Sequence, residues 1–155
     1  MVKVVLVHPK IPPNTGNVAR TCAATCTPLH LVGPLGFEIS DRTLKRAGLD
    51  YWPFVNLTQH QDWPEFTRYH QHHGGRCIGF STSGKTNYLD FSFHPDDWLL
   101  MGSETQGLSP ESLDYCHSVV RIPMAQPGVR SLNLSVSTAI GLFEALRQVG
   151  GLPKL

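Results

Sequence analysis

Short apolar runs alternate along this chain with stretches of helical character, and that alternation narrows the fold more than any other feature. VKVVLVH at 2–8, LHLV at 29–32, FVNL at 54–57, RCIGFS at 76–81, WLLMG at 98–102 and SVVRIP at 118–123 have the length and composition of strands. Runs so uniformly apolar suit strands buried on both faces, as in a parallel sheet covered by helices. Between them, Asn14 is placed to cap a predicted helix running to about Cys26, and Ser40 and Asp41 open a short one ending at Gly48. Another helix is predicted from near Asp62 with Pro64 in its first turn. The last covers roughly Leu134 to Val149, with Ile140, Phe143, Ala145 and Leu146 available for burial. No internal repeat, low-complexity segment or linker divides the chain, so residues 1–155 read as a single α/β domain.

Composition then excludes several classes. At 41% apolar, 155 residues suffice for a proper core. A formal net charge of +1 cannot hold nucleic acid by bulk charge, so such a partner would need a local patch. No apolar run approaches membrane-spanning length, and the N-terminus reads as a first strand, not a signal peptide. The cysteines Cys22, Cys26, Cys77 and Cys116 fit a reduced cytoplasmic protein; Cys22 and Cys26 lack a second close pair and read as small buried hydrophobes. HQHH at 70–73 lacks zinc spacing and reads as an exposed helix end, so no metal is expected.

The remaining signals cluster at loops. Gly102 and Gly107 flank S-E-T-Q just after a strand, and Gly128 lies between a strand and the final helix, where ligands bind in open α/β sheets. Neither a dinucleotide fingerprint nor a phosphate loop is present. In NTGNVAR, Arg20 falls about one turn into the predicted helix, whose start favours anions. Alone, each motif has a plain reading: NTGNVAR a capped helix, GSETQG a polar turn, RSLNLS a helix start capped by Ser131 or Asn133. Arg42, Lys45 and Arg46 share one helical face, and Tyr51 and Trp52 suit either base stacking or core packing.

Taken together, NTGNVAR (14–20), LLMGSETQGLSPE (99–111) and RIPMAQPGVRSLNLSVSTAIGLFEA (121–145) resemble the SPOUT class of RNA methyltransferases in order, content and spacing. With LKRAGLDYW (44–52) and no extra RNA-binding domain, the chain is similar to its small tRNA wobble-nucleotide ribose 2′-O-methyltransferases, the TrmL type. The resemblance implies a single-domain SPOUT fold: a parallel-sheet core, a C-terminal deep trefoil knot, S-adenosylmethionine as co-substrate and no metal. It implies a cytoplasmic homodimer acting on the tRNA anticodon loop, with the last helix against a second subunit and Leu142 a candidate for that contact.

By the same resemblance, Phe80, Gly102, Gly107 and Ile122 would line the adenosine site, Leu100, Met124 and Leu132 would add apolar walls, and Ser131 would reach the cofactor. Arg20 would face the target nucleotide, binding a phosphate and stabilising the developing alkoxide, or taking the 2′-hydroxyl proton as a base where the site permits, while Asn17, Glu104, Ser131 and Asn133 orient the reactants. Arg42, Lys45 and Arg46 would form a phosphate-binding stripe with Arg20. The competing expectations are another tRNA or rRNA ribose as target, or an RNA-binding module of the same fold without catalysis.

Overall fold

In the computed structural model, residues 1–40 and 50–155 are described. Most of the helix expected from Ser40 to Gly48 lies outside the described residues, and with it Arg42, Lys45 and Arg46. The strands are β1 (Lys3–Val7), β2 (Leu29–Val32), β3 (Leu57–His60), β4 (Cys77–Phe80), β5 (Thr86–Asn87), β6 (Trp98–Met101) and β7 (Ser118–Arg121). They form one parallel sheet in the order β3-β2-β1-β6-β4-β7-β5. The helices are α1 (Pro12–Ala24), α2 (Trp63–His73), α3 (Pro110–Tyr115) and α4 (Leu134–Val149).

The apolar runs fill the centre of the sheet because both of its faces are covered. Along β1, Val4 and Leu6 face one core layer and Val5 and Val7 the other, the period of two that a pleated strand imposes. The first layer joins Val18, Ala19 and Cys22 of α1 to Leu142 and Ala145 of α4; the second joins Trp63 and Phe66 of α2 to Trp98 and Leu100 of β6. β6 is inserted between β1 and β4, with Leu6 beside Met101 and Met101 beside Phe80. The C-terminal ends of β1, β6, β4 and β7 therefore lie side by side.

Several boundaries differ from expectation. α1 starts at Pro12, with Ile11 at the cap position, because two prolines supply helical φ and lack the N–H groups that a first turn leaves unpaired. Asn14 is thus inside the helix, and Arg20 stands eight residues along it, roughly 12 Å from the start, beyond reach of the helix-end charge. Cys26 is exposed, in a left-handed turn at φ 52°, not a buried hydrophobe. The third strand is LTQH, not FVNL, because Trp52–Phe54 coil into a tight turn first.

Leu142 requires a correction: it is completely buried in its own chain, where a charge would collapse the core and not merely split a dimer. The exposed apolar residues of α4 are Val136 and Phe143, the latter contrary to its expected burial.

HQHH is likewise not simply exposed. His70 is buried, its Nδ1 2.7 Å from the Tyr115 hydroxyl and its Nε2 3.2 Å from the Gly75 carbonyl. A carbonyl only accepts, so Nε2 carries the proton and Nδ1 accepts from Tyr115. Behind it, His30 Nδ1 lies 3.0 Å from His60 Nε2, with the rings stacked and Trp98 and Tyr69 against them. Burial, with the neighbouring His60, Lys3 and His73, pushes the His30 pKa down to about 3; burial also lowers those of His60 and His70.

A histidine held below its ordinary pKa takes up its proton later in the folded chain than in the unfolded one. From near 6.5 down to about 3 the unfolded chain binds more protons, so stability is full above that window and falls as pH falls through it. Urea unfolding should lose about 1 kcal/mol per pH unit below pH 6 from His30, with His60 and His70 adding in the same direction. A flat stability between pH 7 and pH 5 would contradict it.

Candidate active site

A cavity of about 400 Å³ opens where β4, β6 and β7 end. Its walls are the segments 80–83, 101–108 and 130–132, with Ile122, Met124, Leu113, Leu134 and Ser137. The 102–107 turn owes its shape to glycine. A Cβ on Gly102 would fall 2.0 Å from the Gly107 carbonyl carbon and 2.1 Å from the Leu108 nitrogen, so only glycine lets the chain double back so closely. Gly107, at φ +66°, closes the turn, donating to the Ser103 carbonyl at 2.9 Å, while Ser103 Oγ accepts from the Gln106 N–H at 3.1 Å. Gly141 of α4 lies against the Phe80 ring, where a Cβ would come within 2.6 Å.

Of the predicted cofactor residues, Phe80, Gly102, Gly107, Ile122, Met124, Ser131 and Leu132 meet on this cavity. Leu100 does not: the pleat turns it into the opposite core layer with Val5 and Trp98. Leu108, Leu134 and Ser137 line the cavity and were not singled out from the sequence. The last two could have been found, since they lie three apart on one face of the final helix.

Two latches tie the cavity to α1. Glu104 accepts the Lys10 N–H on Oε2 at 2.9 Å and the Ile11 N–H on Oε1 at 3.1 Å, holding the loop before the helix. Asn133 caps α4, its Oδ1 accepting from Ser135 N–H at 2.9 Å and Val136 N–H at 3.4 Å. Its Nδ2 donates to Asn14 Oδ1 at 3.1 Å. The geometry thus places Glu104 and Asn133 as braces that fix α1 against the cavity loops.

Arg20 and Asn17 are exposed on α1, and neither lines the cavity. The Arg20 guanidinium lies over the Tyr51 ring, 5.7 Å from its centroid, a cation–π distance. Burial raises the Tyr51 pKa, keeping its hydroxyl protonated, and it donates to the Gly16 carbonyl at 2.7 Å. Tyr51 therefore braces α1 one turn before Arg20 and supports its side chain. Trp52 packs against the first core layer.

Among the described residues, no group of three or more His, Cys, Asp or Glu could hold a metal ion. Burial pushes the thiols of Cys22 and Cys116 up to about 12, far from a nucleophilic thiolate.

The model of the SpoU rRNA Methylase family matches residues 1–143. A Synechocystis sp. protein, provisionally named a tRNA (cytidine(34)-2′-O)-methyltransferase, is 57% identical over 152 residues, covering 98% of this chain and 99% of its own. A solved structure described as giving insights into the 2-OH methylation of C/U34 on tRNA superposes with a TM-score of 0.89 at 46% identity, over 96% of this chain and 90% of that one. An AdoMet-bound rRNA methyltransferase from Sinorhizobium meliloti gives 0.86 at 28% identity, over 94% of this chain and 56% of that one. With the family model matching residues 1–143 and a relative 57% identical over 98% of its length, the chain belongs to the SpoU rRNA Methylase family.

Proposed function

We propose that this chain methylates the ribose 2′-hydroxyl of the tRNA wobble nucleotide, position 34, a cytidine or modified uridine, using S-adenosylmethionine and no metal. The observation that carries this reading is the end-to-end similarity to the wobble-nucleotide relatives. The cavity suits the co-substrate. Phe80, Met101, Ile122 and Leu134 offer apolar surface for a flat base, and the hydroxyls of Ser81, Ser103 and Ser131 offer partners for a ribose.

S-adenosylmethionine supplies a sulfonium methyl; as the 2′-oxygen takes it, the C–S electrons return to sulfur, giving S-adenosylhomocysteine. The chain aligns the reactants and stabilises the oxygen as it loses its proton to solvent. Arg20 does the latter, holding a phosphate and the developing alkoxide through its two-pronged guanidinium. Ser131, exposed on the cavity wall, and Asn17, exposed on α1, orient the reacting groups. Glu104 and Asn133 contribute by fixing α1.

This reading includes one cytoplasmic catalytic domain over residues 1–155, with a deep trefoil knot in its C-terminal half. The tight seating of Gly84 on Val120, 36 residues further along, where a Cβ would meet the carbonyl carbon at 2.7 Å, supports close passage of two distant segments there. No helix among the described residues is long and apolar enough to cross a membrane.

It also includes a homodimer through α4, supported by Val136 and Phe143, which lie seven apart on one helical face and are 47% and 46% exposed. Phe143→Glu should give monomers by light scattering, with transfer lost but the fold kept; full activity from a proven monomer would contradict it.

The test of function is label transfer from S-adenosylmethionine to tRNA carrying a 2′-deoxy block at the wobble nucleotide or elsewhere. Only the wobble block should abolish transfer. Continued methylation of wobble-blocked tRNA would move the target. Calorimetry with S-adenosylhomocysteine should show the same saturable binding, at most about one per chain, before and after chelator treatment.

A further inference from the structure

The mouth of the cavity carries positive charge that the roles above leave unused. Arg130 is exposed on one lip, in the loop leading to α4, and pairs with no carboxylate among the described residues. Lys10 is not on the cavity wall but is exposed beside it, its Nζ 3.3 Å from Thr105 Oγ1 on the 102–107 turn, and it too pairs with no carboxylate there.

Lys10 stands on fixed backbone. The Lys10 N–H is held by Glu104, and Gly36 sits so close that a Cβ there would fall 2.8 Å from the Lys10 Cα. Arg130 stands three residues before Asn133, which is fixed by its cap and by Asn14. The acid on the cavity wall is Glu104, and both of its oxygens already accept backbone N–H groups. The mouth is therefore locally positive in a chain whose formal net charge is only +1.

One small anion would need one of these cations. Two such cations, with Arg20 further along the helix whose start both latches hold, match an extended polyanion that crosses the mouth. We propose that Lys10 and Arg130 are positioning residues that hold RNA backbone phosphates beside the nucleotide presented to the cavity. This rests on the proposed methylation of tRNA. Each contact displaces counterions from the RNA, so its loss weakens binding and flattens the dependence on salt.

The test compares wild type with Lys10→Ala, Arg130→Ala, Arg130→Lys and the double alanine variant. Three quantities are read: tRNA affinity across a salt series, S-adenosylhomocysteine affinity by calorimetry, and kcat and KM for tRNA. Alanine at position 10 keeps the backbone N–H to Glu104, and thermal melts check folding.

Each alanine should raise the tRNA Kd and KM about 3–10-fold at 0.1 M salt and reduce the logarithmic salt slope by about one. kcat at saturating tRNA should move far less, and cofactor affinity should hold. Arg130→Lys should retain most of the affinity, because a phosphate accepts a point charge.

Unchanged tRNA affinity and slope in both alanine variants, with wild type active, would overturn this proposal alone. So would lost S-adenosylhomocysteine affinity at unchanged tRNA affinity, which would give Arg130 to the carboxylate of the cofactor. A folded wild type that binds cofactor but neither binds nor methylates tRNA would sink the functional reading and this proposal with it.

Discussion

Arg20→Ala should leave S-adenosylhomocysteine affinity near wild type while methyl transfer to tRNA falls about 10²–10³-fold, or roughly 3–4 kcal/mol of transition-state stabilisation. The split follows from geometry: Arg20 is on the outer side of α1, outside the cavity, resting on Tyr51. On the mechanism proposed above, its loss removes charge from where an oxyanion develops, not a wall of the cavity. Arg20→Lys should recover little, since an ammonium cannot reproduce the two-pronged donor geometry or the flat contact with an aromatic ring. Tyr51→Phe, which removes the hydroxyl tied to Gly16 and keeps the ring, should cost much less than Arg20→Ala. Near-normal single-turnover rates in Arg20→Ala would reduce that residue to a solvated arginine.

The second large effect is expected from one methyl group. Gly102→Ala places a carbon 2.0–2.5 Å from the backbone of Gly107 and Leu108, which cannot rotate away as a side chain can. The 102–107 turn must open, and with it a wall of the cavity. S-adenosylhomocysteine affinity should drop at least about 100-fold, roughly 3 kcal/mol. Gly107→Ala is the contrast. Its Cβ would meet nothing within 4 Å, so the change should cost about 1–2 kcal/mol of stability from the left-handed φ and leave a cavity that still binds. Calorimetry on both variants decides; equal affinities would show that close packing at Gly102 is not what shapes the site.

What could be read from the sequence follows from what burial demands. Central strands of a parallel sheet must be apolar on both faces, so β1, β2, β4 and β6 announce themselves as unbroken runs. β3 and β5 lie at the edges, where LTQH and TN can stay polar, and they gave little signal. α3 was missed although Ser109 and Pro110 mark its start, because six residues show no periodicity. The glycine turn was legible as a ligand loop. Leu100 and Leu142 were not placed correctly, because the facing of a strand or helix residue depends on what packs on each side. His70 is the same case: within HQHH nothing distinguishes it, yet the helix turns it alone inward, onto Tyr115. Glu104 and Asn133 were chosen for chemistry, but the partners that make them braces lie 94 and 119 residues away along the chain.

The position of β6 between β1 and β4 also has a consequence on the ribosome. β1 gains β2 as a neighbour early, but its other edge waits for residues 98–101, about 95 residues after Lys3. At typical synthesis rates of about 5–20 residues per second, that edge stays unpaired for roughly 5–20 s. Throughout that interval the nascent chain presents an open row of backbone donors and acceptors beside some of its most apolar residues. That open edge is a template for pairing with another chain, so half-made chains are the stage most exposed to aggregation.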